Sequence, residues 1–439
     1  MNFRISKAYI IIFGLFCILG VSWSVYRDIQ LRKQFPGDLR NRVVGSRLQM
    51  DGISPYFYHW KPSDGLRYYD WNNGNNRLEV SNITATPFFH QLISPVAGFS
   101  QYNISIIWLV LCYLMLIVMV ILAFRLCQTG YQQAAVLFIA VLFLFSYAWT
   151  GHVVNGQMYL VIPFLSFGFY FILASKPLLI NGMFAGVLAA SLVLVRPTTI
   201  IFLVPFLLVA KNFNLKYKLS IIMPALFLFL VSFATSPSRE YWNDYRLAVQ
   251  EHVKAHQTPD AVTGVFHAVP TINKWEGWDM EKIIEAQKFP YYKNNDANGN
   301  VFVFINHILH LRTPVWLLTV MCLVSIGLFS FMFYKSNTAV NLSLYSVAIL
   351  AFLLYMLTDL FSPVHRFQYN ASQWIFPLLL TASGWRSRMN KLFVLGVPTG
   401  IVLNSLPFSM FRMQHSIGEY IVFFSLAALL LTNKTVLSR

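Results

Sequence analysis

Apolar residues run in long unbroken stretches along this chain, separated by short polar junctions. Such runs begin near Ala8, Ile104, Tyr131, Met158, Leu178, Thr198, Leu219, Pro314, Val340, Ala371, Leu392 and Glu419. A helix needs about 20 mostly apolar residues to cross a bilayer, because only its own turns can satisfy the backbone there. The pattern therefore predicts an all-α polytopic membrane protein with about twelve transmembrane helices. Thr198 to Ala210 is short and predicts a tilted partner in a tight hairpin. The first run, Ala8 to Val25, follows a basic start but is long for a signal peptide and has no small-x-small cleavage pattern. It predicts a retained anchor.

Composition narrows the class. Of 439 residues, 56% are apolar and only 11% charged, against roughly 25% charged in soluble domains. An aromatic share of 16% excludes a disordered chain. The net charge of +16 would suggest nucleic acid, but the basic residues lie mostly between apolar runs, where they orient a membrane protein. With the N-terminus inside, Arg4, Lys7, Arg125, Lys176, Lys211, Lys335, Arg386 and Lys434 fall on inner segments that carry no acid. Every acidic residue from Asp28 to Glu419 then falls outside or at the outer boundary. Both termini are expected in the cytoplasm, with the chain in the inner (plasma) membrane.

Residues 1–439 read as one integral membrane domain with two long extracytoplasmic loops, 27–103 and 236–312, which hold nearly all the titratable chemistry. Cys17, Cys112, Cys127 and Cys322 lie in or beside spans, so no disulfide framework secures those loops. Gly37 to Leu48 predicts a short interfacial helix, with Val43, Val44 and Leu48 toward the membrane surface and Arg40 and Arg47 in water. Asp38 at its start fits two roles: a cap on the free N–H groups of the first turn, or a general base beside cations that could bind phosphate. Asp51-Gly52 predicts the turn that ends this helix. Pro87 and Pro95 predict breaks in a second interfacial helix. Tyr56-Phe57-Tyr58-His59-Trp60 suits an interfacial aromatic belt and could equally stack on sugar rings.

Arg196, in Val195-Arg196-Pro197, is a lone cation at the outer tip of a short hairpin. It either snorkels to water or holds a lipid-linked phosphate. Gly156-Gln157 opens the fourth run on the same face, as a plain turn or an anion-binding helix start. His365 and Arg366 add an imidazole and a cation before the tenth run. His252 and His256 are four apart but lack an evident third ligand, so no metal is expected. There is no P-loop, dinucleotide fingerprint or serine elbow.

The order of these pieces resembles the family-87 glycosyltransferases of the GT-C class. Asp38 followed by Asp51-Gly52-x-x-Pro55-Tyr56 is similar to that family's aspartate-helix-Gly-x-x-Pro-Tyr pattern. Thr86-Pro87 with Ser94-Pro95 resembles its next proline-marked segment. Gly156-Gln157-Met158-Tyr159 resembles its Gly-Gln-x-Asn motif, Arg196-Pro197 its basic residue before proline, and Ser362-Pro363 with Pro377 its late signature. Tyr159 stands where the family prefers Asn, and Gln368-Tyr369 stand near a common His-His pair.

The resemblance implies a polyprenyl-phosphate-sugar donor, mannose being the typical sugar. It implies inverting transfer to a lipid- or glycan-linked hydroxyl on the extracytoplasmic face, with no cofactor beyond the co-substrate. Asp38 would be the general base. Arg196, aided by Arg366 or Arg40, would bind the phosphate, and Gln157 and His365 would position donor or acceptor. Two other readings use the same lipid-linked sugars. An O-antigen ligase or polymerase usually has its largest outer loop late, and a transporter or flippase usually shows paired repeats and mid-membrane charges.

Overall fold

The computed structural model describes residues 7–31, 37–70, 79–257, 274–279, 300–305, 313–337, 342–364, 366–384, 391–406 and 414–432. Apart from one two-stranded hairpin, the regular structure is helical. Among the described residues, five helices are long and apolar enough to cross a membrane: Ile11–Leu31, Gln101–Leu126, Leu215–Ala234, Val315–Ser336 and Gln414–Thr432. The pair Gly130–Phe145 and Tyr147–Asn155, bent by 54°, makes a sixth if counted as one span. Val161–Ala174, Leu179–Val195, Pro197–Ala210, Leu344–Leu360 and Leu395–Asn404 are apolar but shorter.

Breaks within apolar runs separate the observed helices from the dozen expected crossings. Ser146 ends one helix and caps the next, accepting from the Trp149 N–H at 3.0 Å. Pro205 sits in a 3₁₀ turn within Pro197–Ala210. A 3₁₀ stretch, Gln368–Trp374, precedes the nine-residue helix Ile375–Ser383. Leu344–Leu360 is apolar on every side and buried along nearly its whole length, which places it at the centre of the bundle.

The first helix, α1 (Lys7–Leu31), runs past the start of the expected outer loop. Asp28 therefore lies inside it, buried, where it accepts from the Trp149 indole and the Tyr113 hydroxyl at 2.7 Å each. It belongs to a buried network near the end of α1. The next helix, α2 (Gly37–Met50), departs furthest from expectation. Every residue from Leu39 to Leu48 is buried, including Arg40 and Arg47. It is not an interfacial helix with a wet basic face, because two distant stretches of chain close around it.

One stretch is α3 (Pro87–Ile93). Pro87 starts this helix instead of breaking it: Thr86 is its N-cap, accepting from the Phe89 N–H at 3.2 Å, and proline at N1 has no N–H to lose. The other is the region after Ser236. Its helix Ser236–Gln257 packs Tyr241 and Ala248 against Val44, Leu48, Tyr56, Val80 and Ile83. The Ser54 hydroxyl donates to Asp244 at 2.6 Å, and His252 Nε2 pairs with the Ser81 carbonyl at 2.7 Å. The hairpin Lys274–Trp275/Trp278–Asp279 then places Glu276 between Arg40 (2.8 Å) and Arg47 (2.7 Å). Glu276 also accepts from the Gln101 N–H at 2.7 Å. Its φ of 47° is the one left-handed value at a described residue other than glycine.

Within the aromatic stretch, Tyr56 and Trp60 make contacts inside the fold. The buried Tyr56 donates to the Ala85 carbonyl at 2.8 Å, and Trp60 packs edge-on to Tyr69.

Candidate active site at the start of the second helix

Asp38 lies in the first turn of α2, and its side chain reaches a distant segment of the chain. Its carboxylate accepts from the Gln157 amide, 119 positions away. Gly156 sets up this approach. It ends the helix Tyr147–Asn155 in the left-handed conformation (φ 64°, ψ 46°), which glycine adopts without a Cβ penalty. The Gln157 N–H then closes back on the His152 carbonyl at 3.0 Å, as in a Schellman C-cap. Trp108 donates to the Gln157 carbonyl at 3.1 Å, fixing that backbone from the other side. Gly156-Gln157 thus ends one helix rather than opening the next.

The other end of the Gln157 amide accepts from Arg42 Nη2 at 2.7 Å, and Arg42 Nη1 donates to the Asp38 carbonyl at 2.5 Å. Residues four apart share a helix face, whereas residues two apart diverge. Arg42 therefore reaches the Asp38 site and Arg40 does not. Arg40 instead donates to the Tyr69 carbonyl (2.6 Å), the Leu66 carbonyl (3.0 Å) and Glu276, above the Trp275 ring. Burial pulls Arg40 down to about 10 despite Glu276. Arg42 Nε is buried and has no partner among the described residues.

Burial also acts on Asp38. It is the largest influence and pushes the carboxyl above the usual range, against the opposing pull of Arg42 and the Gln157 hydrogen bond. Beyond Asp38 lies an aromatic ladder. Tyr369 is near enough to feel the charge of Asp38, and its ring stacks on Tyr159 at 5.7 Å and on Phe367 at 5.3 Å. The Arg196 guanidinium sits 5.0 Å above Tyr159. Tyr245, from Ser236–Gln257, interacts electrostatically with both Arg196 and Tyr159, so the second long segment also borders the site.

Arg196 is half-buried rather than snorkelling into water. One of its nitrogens, Nη2, pairs with Asp359, while Nη1 is buried and has no partner among the described residues. Asp359 also accepts from Arg366 Nε at 2.5 Å and Gln373 Nε2 at 3.2 Å. Arg366 is not a cation open to the outer face. It is buried, and its two Nη atoms bind Glu419, which also accepts from Trp374 at 2.6 Å. His365 lies outside the described residues.

The structure thus gathers Asp38, Gln157 and Arg196 around one aromatic ladder and sets Arg40 and Arg366 into surrounding ion pairs. Sequence reasoning missed Arg42, which the i, i+4 spacing from Asp38 could have found. It also missed Asp359, the carboxylate that anchors Arg196. Among the described residues, no three His, Cys, Asp or Glu side chains converge on a metal-sized site. The arrangement offers a carboxylate with a raised proton affinity and two guanidiniums with unused N–H groups. Such a set suits deprotonation of a hydroxyl beside an anionic leaving group.

Comparison with known proteins gives one match. The family model for glycosyltransferase family 87 matches residues 84–363, a stretch that includes Gln157, Tyr159, Arg196 and Asp359 and begins after Asp38. No curated protein and no solved structure gives a significant match.

Proposed function

We propose that the chain, which belongs to glycosyltransferase family 87, moves a hexose from a polyprenyl-phosphate donor to a lipid- or glycan-linked hydroxyl on the extracytoplasmic face. Membership makes it a membrane glycosyltransferase. The finer reading takes mannose as the first sugar to test and inversion in a single displacement as the stereochemistry. It is supported above all by one observation: the Gln157 amide joins the Asp38 carboxylate to Arg42, one aromatic ladder away from the unpaired Nη1 of Arg196.

In this reading the acceptor O–H gives its proton to Asp38 as the oxygen attacks the anomeric carbon. The bond from that carbon to the phosphate oxygen breaks, and its electron pair leaves with the polyprenyl phosphate. Arg196 and Arg42 donate to the phosphate oxygens as charge grows there. The leaving group needs no proton, so a single carboxylate is enough. Gln157 holds Asp38 and Arg42 in fixed relation, a positioning role. Two guanidiniums carry the charge a metal would otherwise meet, so the reading includes no metal requirement. Both termini lie in the cytoplasm, as the inner-segment cations favour.

Purified protein with radiolabelled polyprenyl-phosphate-mannose and a crude lipid extract from the host tests this reading. A labelled lipid or glycan, formed with or without EDTA and lost in Asp38→Asn, is the expected result. Label accumulating inside proteoliposomes with no new glycosidic product would overturn it in favour of transport. Product from another polyprenyl-phosphate sugar alone would replace mannose and keep the rest.

A further inference from the structure

Away from Asp38, a polar cavity lies farther along α2. It has a volume of about 480 Å³ and is lined by Ser46, Gln49, His90, Ser238, Tyr241 and Asp244, among others. Specific ligand sites commonly fall between about 300 and 1,000 Å³. Ser46 and Gln49 follow Asp38 by eight and eleven residues, so the cavity lies roughly 12–17 Å from the base along the helix axis. It lies between α2 with the turn that follows it, the end of α3, and the helix Ser236–Gln257.

Its polar groups are unevenly used. Ser46 donates to the His90 carbonyl at 2.8 Å, and Ser54 donates to Asp244. The His90 side chain, by contrast, is fully buried and neither ring nitrogen has a partner among the described residues. The same holds for the Gln49 side-chain oxygen. Leaving such groups unsatisfied costs about 1–3 kcal/mol each, so an unpaired imidazole here needs a reason. Gly45 makes the space for it: a Cβ at that position would stand 2.5 Å from His90 Nε2. The charge balance also favours one kind of ligand. Burial, with the nearby Arg42 charge, lowers His90 to about 3, so its ring is neutral at physiological pH and adds no cation. Glu240 and Asp244 line the cavity with carboxylates. A phosphate would be repelled here, whereas sugar hydroxyls could both donate to and accept from these groups.

We propose that this cavity binds the neutral, hydroxyl-rich sugar of the acceptor, with His90 and Gln49 as its recognition groups once their buried polar atoms turn into the cavity. The proposal rests on the glycosyl-transfer reading, in which the acceptor hydroxyl must reach Asp38. An acceptor glycan seated here would run along α2 toward the base, while the lipid phosphate of the donor stays at Arg196. The cavity thus assigns acceptor and donor to separate places.

Saturation-transfer NMR on the full chain in detergent tests it, with mannotriose, maltotriose and chitotriose as probes and undecaprenyl phosphate as the control ligand. At least one trisaccharide is expected to bind, with at least fivefold weaker binding in both His90→Phe and Gln49→Ala. Undecaprenyl phosphate binding should be unchanged in the two variants. Asp38→Asn should lose transfer and keep trisaccharide binding, so failure of the transfer reading and failure of this one look different. No binding by any of the three sugars, or equal binding in wild type and both variants, would overturn the proposal and leave a water-filled cavity.

Discussion

Two groups of buried charge stand close together in this fold and differ in how completely their hydrogen bonds are used. Around Arg366, Asp359 takes Nε, Glu419 takes both Nη atoms, and Trp374 and Gln373 fill further carboxylate positions. Around Asp38 the pairing is partial: Arg42 Nε and Arg196 Nη1 have no partner among the described residues. Stability alone does not favour a buried donor left open, since it carries the full desolvation penalty. The contrast separates a group whose ion pairs are complete from one with donors left open, which the proposed function assigns to the donor phosphate. Asp359 belongs to both, because it holds Arg196 on one side and Arg366 on the other.

Asp38→Asn should have the largest effect. It should lower transfer by about 10²–10⁴-fold, the range for loss of a general base. The midpoint of thermal unfolding should stay close to wild type, because asparagine keeps the size. Arg196→Ala comes next, with kcat/KM down by about 10²-fold as one donor to the developing phosphate charge is lost. An unchanged kcat/KM would move Arg196 into the structural group. Arg366→Ala should do the opposite. Asp359 and Glu419 would be left buried without their shared cation, at a cost of about 3–5 kcal/mol read as lost resistance to unfolding. Gly156→Ala should be mildest, about 1–2 kcal/mol for an L-residue at a left-handed position. It should also slow transfer, since the same turn aims Gln157; unchanged turnover would show that the turn is not needed for that aim.

Much of this was legible in the sequence, and the exceptions have physical causes. Apolar runs mark the helices, but hydropathy does not register the breaks at Ser146 and Pro205 that shorten them. Periodicity found α2, yet the pattern expected Arg40 and Arg47 in water. Their burial depends on Glu276, more than 220 residues away, and no local signal announces a tertiary ion pair. Arg42 rather than Arg40 is legible as the neighbour of Asp38, since helix geometry puts position i+4 beside it. Asp38, Gln157 and Arg196 were named from motif order, and the fold brings them to one place. Tyr159 and Tyr369, noted separately as departures from the family pattern, stack on each other and form one local change.

As the proposed base, Asp38 has a proton affinity set by burial against Arg42 and Gln157. The pH dependence of kcat/KM for transfer reads that affinity. Burial raises the Asp38 carboxyl, so activity should fall as pH drops through a value above the usual carboxylate range and level off above it. Arg42 pulls that value down, so Arg42→Gln should move the acidic limb to higher pH. A limb that shifts upward in Arg42→Gln is the predicted result. A profile flat across the acidic range, or a limb in the same place with and without Arg42, would contradict the account.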